Sequence, residues 1–207
     1  MEEYYETIRF CYYGSCFNIC IGIGWIMINI EFDLDETLVN IIPMVTEIIF
    51  DETGIEFIDP TRYYCWDDFG MTKETMFYCF KKTYDYYNDL PLVEGAEELL
   101  RKLYEKGKEP IHIITARDIN YATQTYKLMN RFNVPFTLSM CESKIPYVTK
   151  YFFVDDRRET AKVLSKLGKY VYMPNQTYNV PCEDKYGRIC AIDSVKDLLP
   201  LVDIFIK

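Results

Sequence analysis

The stretch MINIEFDLDETLV, residues 27–39, contains an apolar run that ends abruptly in acidic residues. The run at 28–32 is typical of a buried β-strand, and Asp33 and Asp35 follow it directly. Residues two apart on an extended chain point to the same side, so both carboxylates can face one crevice. Two carboxylates this close repel each other unless a cation or a proton lies between them. The stretch therefore predicts a metal ion, a catalytic proton or both, and the alternative is an acidic turn without a function.

The composition limits the architecture and the classes of partner. A chain of 207 residues, 49% of them hydrophobic, suits one domain or a core with a modest insertion. The formal net charge is −9, and no basic residues cluster. This charge argues against a nucleic-acid polymer or an anionic membrane as the partner. A small anionic substrate is compatible with it, because local cations can overcome the overall field.

The cysteines and the single histidine exclude several kinds of site. The eight cysteines lack close Cys-x-x-Cys pairs, and no histidine lies near the local group Cys11, Cys16 and Cys20. We therefore expect free thiols and a cytoplasmic protein, or a protein of the host cytoplasm if the source is viral. His112 lies inside an apolar run and is predicted to pack in a strand. A single histidine argues against a Ser-His-Asp triad and a His-x-x-x-His zinc helix.

Residues 1–26 differ from the rest of the chain. They begin with an acidic, Tyr-rich segment rather than the basic one of a signal peptide, and the apolar part that follows is short for a membrane span. We expect an appended, loosely attached extension, with a weak membrane anchor as the alternative.

Strand and helix patterns alternate in the remaining sequence, which indicates an α/β fold with a doubly wound parallel sheet. The core is predicted at 27–39 and 91–207, and a small helical cap is inserted after the first strand at 40–90. Gly107 is expected to follow the end of the first core helix as its C′ residue. The predicted helices are 43–51, 72–87, 94–106, 120–132, 159–167 and one from 195; the predicted later strands are 111–114, 135–138, 151–154 and 169–173.

Polar residues follow three of the predicted strands, in a set order. After Asp33 and Asp35 come Thr115 and then the pair Asp155 and Asp156, and Lys144 precedes the last of these strands. The carboxyl ends of parallel strands converge on one crevice. The four motifs, FDLDETL at 32–38, IITAR at 113–117, Lys144 and FFVDD at 152–156, resemble those of the haloacid-dehalogenase-like phosphohydrolase superfamily. The resemblance covers 27 to about 199.

This resemblance implies a Mg²⁺-dependent phosphomonoester hydrolase with an aspartyl-phosphate intermediate. Asp33 would be the nucleophile and Asp35 the general acid and base, while Thr115 and Lys144 would contact the phosphoryl group. The same resemblance implies that Mg²⁺ is held by Asp33, the backbone carbonyl of Asp35, Asp155 and, directly or through water, Asp156. Asp35 is the acid that phosphatases of the superfamily keep and dehalogenases lack.

The motif lysine has a competitor in Lys150. Lys150 begins the strand whose far end carries Asp155, so about four residues at roughly 3.3 Å each would place its backbone at the wrong edge of the sheet. Lys144, in the preceding turn, can reach the crevice and is the predicted residue.

Features of the insertion and of the later motifs resemble the 5′(3′)-deoxyribonucleotidases. These features are the YYCWDDFG segment at 63–70, the ITAR form of the second motif, DDR at 155–157 and MPNQTYN at 173–179. The implied substrate is a nucleoside monophosphate, with a base stacked on an aromatic residue. Alternatively, these rings only attach the cap to the core, and Arg117 and Arg157 either contact phosphate or pair with carboxylates. The residues predicted to bind substrate are Thr37, Tyr64, Trp66, Phe69 and Arg117.

Other functions remain open. The DLDETLV form resembles phosphatases of the phosphorylated RNA polymerase tail at least as closely as it resembles nucleotidases. The long insertion nevertheless favours a closed site and a small substrate. Another phosphorylated metabolite and a non-catalytic phosphate-binding relative are further alternatives. A homodimer is compatible with the sequence.

Overall fold

A computed structural model of the chain describes residues 6–12, 15–21, 27–57, 65–179 and 184–206. The strands in these residues are β1 (Glu6–Tyr12), β2 (Ser15–Ile21), β3 (Ile30–Phe32), β4 (Ile111–Thr115), β5 (Phe136–Met140), β6 (Phe152–Val154), β7 (Tyr170–Pro174) and β8 (Ile189–Ile192). Strands β3 to β8 form a parallel sheet in the order β5-β4-β3-β6-β7-β8, and β1 and β2 pair separately as an antiparallel hairpin.

Helices cover both faces of the sheet, which confirms the predicted doubly wound α/β fold with a helical cap. On one face, Ile30 and Phe32 of β3 pack with Leu99 and Leu103. A smaller cluster on the other face contains Phe153 and Leu164. The α-helices are α1 (Ile42–Thr53), α2 (Lys73–Thr83), α3 (Ala96–Gly107), α4 (Ala122–Met129) and α5 (Arg158–Lys166); shorter 3₁₀ turns and the 3₁₀ segment Val195–Ile204 complete the described elements.

The sheet order places β3 and β6 side by side at its centre. Connections run outwards from β3 to β4 and β5 on one side, and from β6 to β7 and β8 on the other. Ligands of open α/β sheets bind outside the carboxyl ends of the strands where the order reverses. The residues after β3 and β6 therefore share this crevice.

Three local predictions need correction. Gly107 is the last residue of α3 rather than the residue after it, and Lys108 takes the left-handed conformation with φ 56°. Glycine is needed at 107 for a different reason, since a Cβ atom there would collide with the side chain of Ile28. The edge strand β8 was not predicted, because it is short and half exposed and lacks a clear apolar alternation. The third predicted strand, at 135–138, lies at Phe136–Met140.

The cap consists of α1, α2 and two 3₁₀ turns, Trp66–Phe69 and Tyr84–Tyr86. Thr72 caps α2 as predicted, by accepting a hydrogen bond from the backbone N–H of Thr75, and Gly54 ends α1 with φ 70°. An ion pair between Lys82 and Glu52 joins the two helices.

The two chain segments that connect the cap to the core are hydrogen-bonded to each other. The backbone N–H of Asn40 donates to the Pro91 carbonyl at 2.9 Å, and that of Val93 donates to the Leu38 carbonyl at 2.9 Å. Val39 and Leu92 form an antiparallel bridge between these bonds. The chain therefore enters and leaves the cap at one place.

The hairpin of β1 and β2 falls within residues 1–26, where no strands were predicted. The loose attachment of this extension stays a prediction. None of the helices in the described part of the chain is both long enough and apolar enough to cross a membrane.

Glu31, the middle residue of β3, is a fully buried acid that lies two positions before Asp33. Its carboxylate accepts hydrogen bonds from the backbone N–H groups of Thr149 (2.9 Å) and Lys150 (3.1 Å) and from the Thr149 hydroxyl (2.7 Å). His112 Nδ1 lies 2.8 Å from Glu31 Oε1, and its Nε2 lies 2.9 Å from Ser139 Oγ. Burial alone would raise the pKa of Glu31, but the hydrogen bonds of His112 and Thr149 lower it. His112 is thus a packed strand residue that completes the partners of a buried acid.

Candidate active site

Three buried aspartates meet at the carboxyl ends of the two central strands. Asp33 directly follows β3, and Asp155 and Asp156 follow β6. One carboxylate oxygen from each lies within 4.8 Å of the others, and none of the three is more than 3% exposed. The backbone N–H of Asp33 donates to the Val154 carbonyl at 2.8 Å, which extends the pairing of the strands into the site. The parallel sheet therefore assembles residues that lie more than a hundred positions apart.

Lys144 supplies the cation in this cluster. Its Nζ lies 2.7 Å from Asp33 Oδ2 and 2.9 Å from Asp155 Oδ2, and its side chain is buried. Lys150 lies at the other end of β6, where its backbone N–H donates to Glu31. The structure thus places Lys144 at the aspartates and Lys150 away from them.

Burial disturbs the protonation of this cluster. It raises the pKa of Asp33 well above the usual range, against the opposing attraction of Lys144. The pKa of Asp156 rises to about 7 because of burial and the neighbouring Asp155. Burial alone would lower the pKa of Lys144, but Asp155 and Asp33 outweigh burial and raise it. Lys144 is therefore charged, and one lysine faces three carboxyl groups.

The donor set fits a divalent cation. The three aspartates offer carboxylate oxygens, the ligands that Mg²⁺ prefers, and they lie close enough together to share an ion. A bound cation would also supply the positive charge that Lys144 alone does not. Asp33, Asp155 and Asp156 are therefore the residues that could hold Mg²⁺.

Asp35 is paired with a buried arginine. Arg117 Nη2 lies 2.6 Å from Asp35 Oδ1, and Arg117 Nε lies 3.0 Å from Asp35 Oδ2. The guanidinium lies over the ring of Tyr84 from the cap, with Cζ 4.3 Å from the ring centroid. Arg117 Nη1 is buried and has no hydrogen-bond partner among the described residues. This nitrogen has the donors that a substrate oxygen would need.

The two threonines of the predicted site lie in different surroundings. Thr115 is buried and lines the cavity next to the aspartates, and its Oγ1 accepts a 3.3 Å hydrogen bond from the backbone N–H of Arg117. Thr37 is fully buried, does not line the cavity, and has no partner for Oγ1 within the described part of the chain.

A cavity of about 640 Å³ lies between the cap and the carboxyl ends of the strands. Asp33, Asp35 and Lys144 line its floor. The cap contributes mainly apolar side chains to the same cavity: Phe57, Cys65, Trp66, Met76, Phe77, Phe80 and Tyr84. At its edge, Lys81 of the cap forms a 2.7 Å ion pair with Asp118 of the core. Acidic groups and a lysine of the core thus share one space with aromatic side chains of the cap.

No family model matches this sequence, and no curated protein matches it. Solved structures match at low sequence identity over most of their length. A predicted phosphoglycolate phosphatase from Haemophilus somnus 129PT superimposes with a TM-score of 0.58 and 16% identity, covering 84% of this chain and 97% of that one. CbbY from Rhodobacter sphaeroides in complex with phosphate superimposes with a TM-score of 0.56 and 13% identity, and the match covers 86% of this chain and 100% of that one. For a HAD family hydrolase from Deinococcus radiodurans R1 with bound phosphate and sodium, the values are 0.59 and 12%, covering 86% and 96%.

The chain has the haloacid-dehalogenase-like fold. This finding agrees with the superfamily resemblance of the four motifs, whereas the nucleotidase subgroup rests on sequence features of the cap and of the later motifs and stays a prediction. In this chain the structure brings seven of the predicted residues together at one edge of the sheet: Asp33, Asp35, Thr115, Arg117, Lys144, Asp155 and Asp156.

The predicted aromatic residues of the cap differ in their positions. Trp66 lines the cavity, with its ring 6.1 Å from that of Phe77. Phe69 does not line the cavity, and it packs on Phe57 with 4.3 Å between ring centroids. Tyr64 lies outside the described residues. Phe77 and Phe80 of α2 also line the cavity.

Three residues at this site were not predicted to contribute to it. Glu36 takes a left-handed backbone (φ 56°), and its Oε1 accepts hydrogen bonds from the N–H groups of Ile41 (2.6 Å) and Ile42 (3.0 Å) at the start of α1. Burial raises the pKa of Glu36 to about 7. Tyr178 and Asn179, after β7, both contact Asp156. Glu36 belongs to the FDLDETL motif, so its position in the sequence could have drawn attention to it. Tyr178 and Asn179 reach the site through contacts with Asp156, which is more than twenty positions away in the sequence.

Proposed function

We propose that this chain is a Mg²⁺-dependent phosphomonoester hydrolase that acts on nucleoside monophosphates. The observation that carries the proposal is the cavity itself. Asp33, Asp35 and Lys144 of the core and aromatic residues of the cap line a single space. Such a space can hold one phosphate and one flat, largely apolar group. The solved structures that contain phosphate share the fold and are consistent with this reaction.

In the proposed reaction, Asp33 attacks phosphorus and forms an aspartyl-phosphate, which water then hydrolyses. Asp35 gives a proton to the leaving oxygen and later takes one from the attacking water. Lys144 offsets the negative charge on Asp33 and on the phosphoryl oxygens, and Thr115 donates a hydrogen bond to one of those oxygens. The pair with Arg117 keeps Asp35 beside the cavity, and one oxygen of Asp35 must leave Arg117 to carry a proton.

Mg²⁺ would be held by Asp33, Asp155, Asp156 and the backbone carbonyl of Asp35. When bound, it supplies further positive charge to the phosphoryl group. The carboxylate oxygens of this chain match its preference for hard oxygen ligands.

The nucleotide part of the proposal rests on the cap. Trp66 and Phe77 line the cavity, and one base stacked on an aromatic ring gains roughly 1–3 kcal/mol. Nη1 of Arg117 offers donors to a phosphate or sugar oxygen. The cavity lies beneath the cap, which disfavours a phosphopeptide as substrate. We further propose a cytoplasmic enzyme with no nucleic-acid polymer as partner.

The test is a phosphatase screen of the full chain with and without Mg²⁺. The panel contains nucleoside monophosphates, phosphoglycolate, sugar phosphates, a small aryl phosphate and a phosphopeptide. We expect Mg²⁺-dependent phosphate release, with the highest kcat/KM on a nucleoside monophosphate. A higher kcat/KM on phosphoglycolate or on the phosphopeptide than on any nucleoside monophosphate would refute the proposed substrate class. Full activity in excess chelator would refute the metal-dependent reaction.

A further inference from the structure

The turn after β7 holds Asp156 at two points. Tyr178 is buried, and its hydroxyl donates a hydrogen bond to Asp156 Oδ2. The fully buried Asn179 donates from Nδ2 to the backbone carbonyl of Asp156 at 2.7 Å and to that of Pro174 at 2.8 Å. Both the side chain and the backbone of Asp156 thus accept hydrogen bonds from the turn that follows the neighbouring strand β7.

The same turn is itself ordered by hydrogen bonds and reaches the other ligand loop. Asn179 Oδ1 accepts from the backbone N–H of Gln176 at 3.0 Å, and the N–H of Asn179 donates to the Gln176 carbonyl at 3.1 Å. Gln176 Nε2 lies 3.4 Å from the carbonyl of Glu36, in the loop that follows β3. A rigid turn therefore touches the loops of both central strands.

We propose that Tyr178 is a positioning residue for the divalent cation, acting through Asp156. This inference rests on the metal-dependent function proposed above. A hydroxyl that donates to Oδ2 stabilises the carboxylate and restricts its rotation, and it leaves Oδ1 of Asp156 to serve as the ligand. Partners of this kind orient metal ligands, and their removal commonly weakens metal binding by about 10- to 100-fold.

Tyr178 could instead only fill space, because it is buried and lines the cavity. The variant Tyr178→Phe separates these roles, since it keeps the ring and removes only the hydroxyl. Tyr186→Phe is the matched control: Tyr186 lies in the same connection between β7 and β8, and it is 43% exposed. Any purely structural role of the ring would survive in Tyr178→Phe.

The experiment is calorimetric titration of Mg²⁺ into the metal-free full chain, together with the melting temperature without metal. We expect Tyr178→Phe to bind Mg²⁺ about tenfold more weakly, whereas Tyr186→Phe matches the wild type. An affinity of Tyr178→Phe within twofold of wild type overturns the positioning role. If the wild type itself does not bind Mg²⁺, the proposed metal site falls and this inference with it.

A double-mutant cycle gives a second measurement that does not depend on the stability of one variant. If Tyr178 acts through the carboxylate, adding Tyr178→Phe to Asp156→Asn weakens Mg²⁺ binding no further. This double variant buries one charge fewer, which favours folding. Equal effects of Tyr178→Phe in the two backgrounds would show that the hydroxyl acts independently of Asp156 and would overturn the inference.

Discussion

Glu31 in β3 and Asp33 directly after it lie two positions apart, and both are buried, yet their surroundings are opposite. Glu31 has hydrogen-bond donors on both oxygens, from Thr149, Lys150 and His112, and its pKa is lowered. Asp33 shares Lys144 with Asp155, and its pKa is raised. One acid is satisfied by the protein itself, while the other is not.

This difference distinguishes a structural acid from a functional one. A buried carboxylate that has all its partners stabilises the fold and gains nothing from a ligand. A buried carboxylate in excess over cations is poised to bind one, which is common at functional sites. Burial and residue type, taken alone, do not separate Glu31 from Asp33; the count of donors does.

The largest expected effect tests the functional side of the comparison. Asp33→Asn removes the proposed nucleophile and a metal ligand, so turnover of a small aryl phosphate should fall by more than about a thousandfold. Because burial raises the pKa of Asp33, the metal-free variant should melt at or above the wild-type temperature. Steady-state kinetics and thermal melting on one preparation measure both. Retained turnover, or a much lower melting temperature, would make Asp33 a structural residue like Glu31.

The second effect tests the structural side. Glu31→Gln turns an amide NH₂ towards hydrogen-bond donors, and it should lower the free energy of unfolding at pH 7 by about 2–4 kcal/mol. Turnover per folded molecule should stay near wild type. Urea unfolding combined with a phosphatase assay checks both values. A strong loss of kcat without loss of stability would contradict the assignment.

The pH dependence of Glu31→Gln gives a sharper check. Since the pKa of Glu31 is lower in the folded than in the unfolded chain, its stabilisation is present above the unfolded pKa and is lost as pH falls through the folded pKa. The difference in unfolding free energy between wild type and Glu31→Gln should therefore shrink as pH falls below about 4. A constant difference across the acid range would show that charge does not matter at this position.

A smaller effect is expected from Trp66→Ala, since Trp66 lines the cavity and takes no chemical part in the proposed reaction. If Trp66 stacks on a base, kcat/KM for a deoxynucleoside monophosphate should fall by about tenfold, which corresponds to ~1.4 kcal/mol. Hydrolysis of a small aryl phosphate should change much less, since the aspartates and Lys144 are untouched. Equal losses on both substrates together with a lower melting temperature would assign Trp66 to cap packing, as truncation of a buried aromatic costs about 3–5 kcal/mol.

The smallest effect is expected from removal of residues 1–26. A chain that begins at Met27 keeps β3 and every residue of both acidic groups, so its specific activity should match that of the full chain. Soluble expression and activity of the two chains are the measurement. An insoluble shorter chain beside a soluble full chain would make the extension part of the fold.

The sequence predicted the strand ends of the site well, because each is a local pattern. Asp33 and Asp155 follow apolar runs, and the parallel topology then brings them together. Lys144 was chosen over Lys150 from strand length alone, and the Nζ distances agree with that reasoning.

The remaining features depend on contacts that no local pattern encodes. Glu31 looked like one more residue of an apolar strand, since its donors Thr149 and Lys150 lie more than a hundred positions away. Tyr178 meets Asp156 only after β7 has been placed beside β6. In the cap, aromatic content indicated rings near a substrate but not that Trp66 would line the cavity while Phe69 packs behind it.

The paired connections at Val39 and Leu92 bear on how chains with this fold can diversify. Because the chain leaves the core and returns at neighbouring, hydrogen-bonded positions, the intervening segment can change in length without moving either strand end. A duplication, deletion or exchange of this segment would give the same parallel-sheet core a cavity of different shape and lining. The cap can therefore be replaced as a unit during evolution, because its two connections to the core lie side by side.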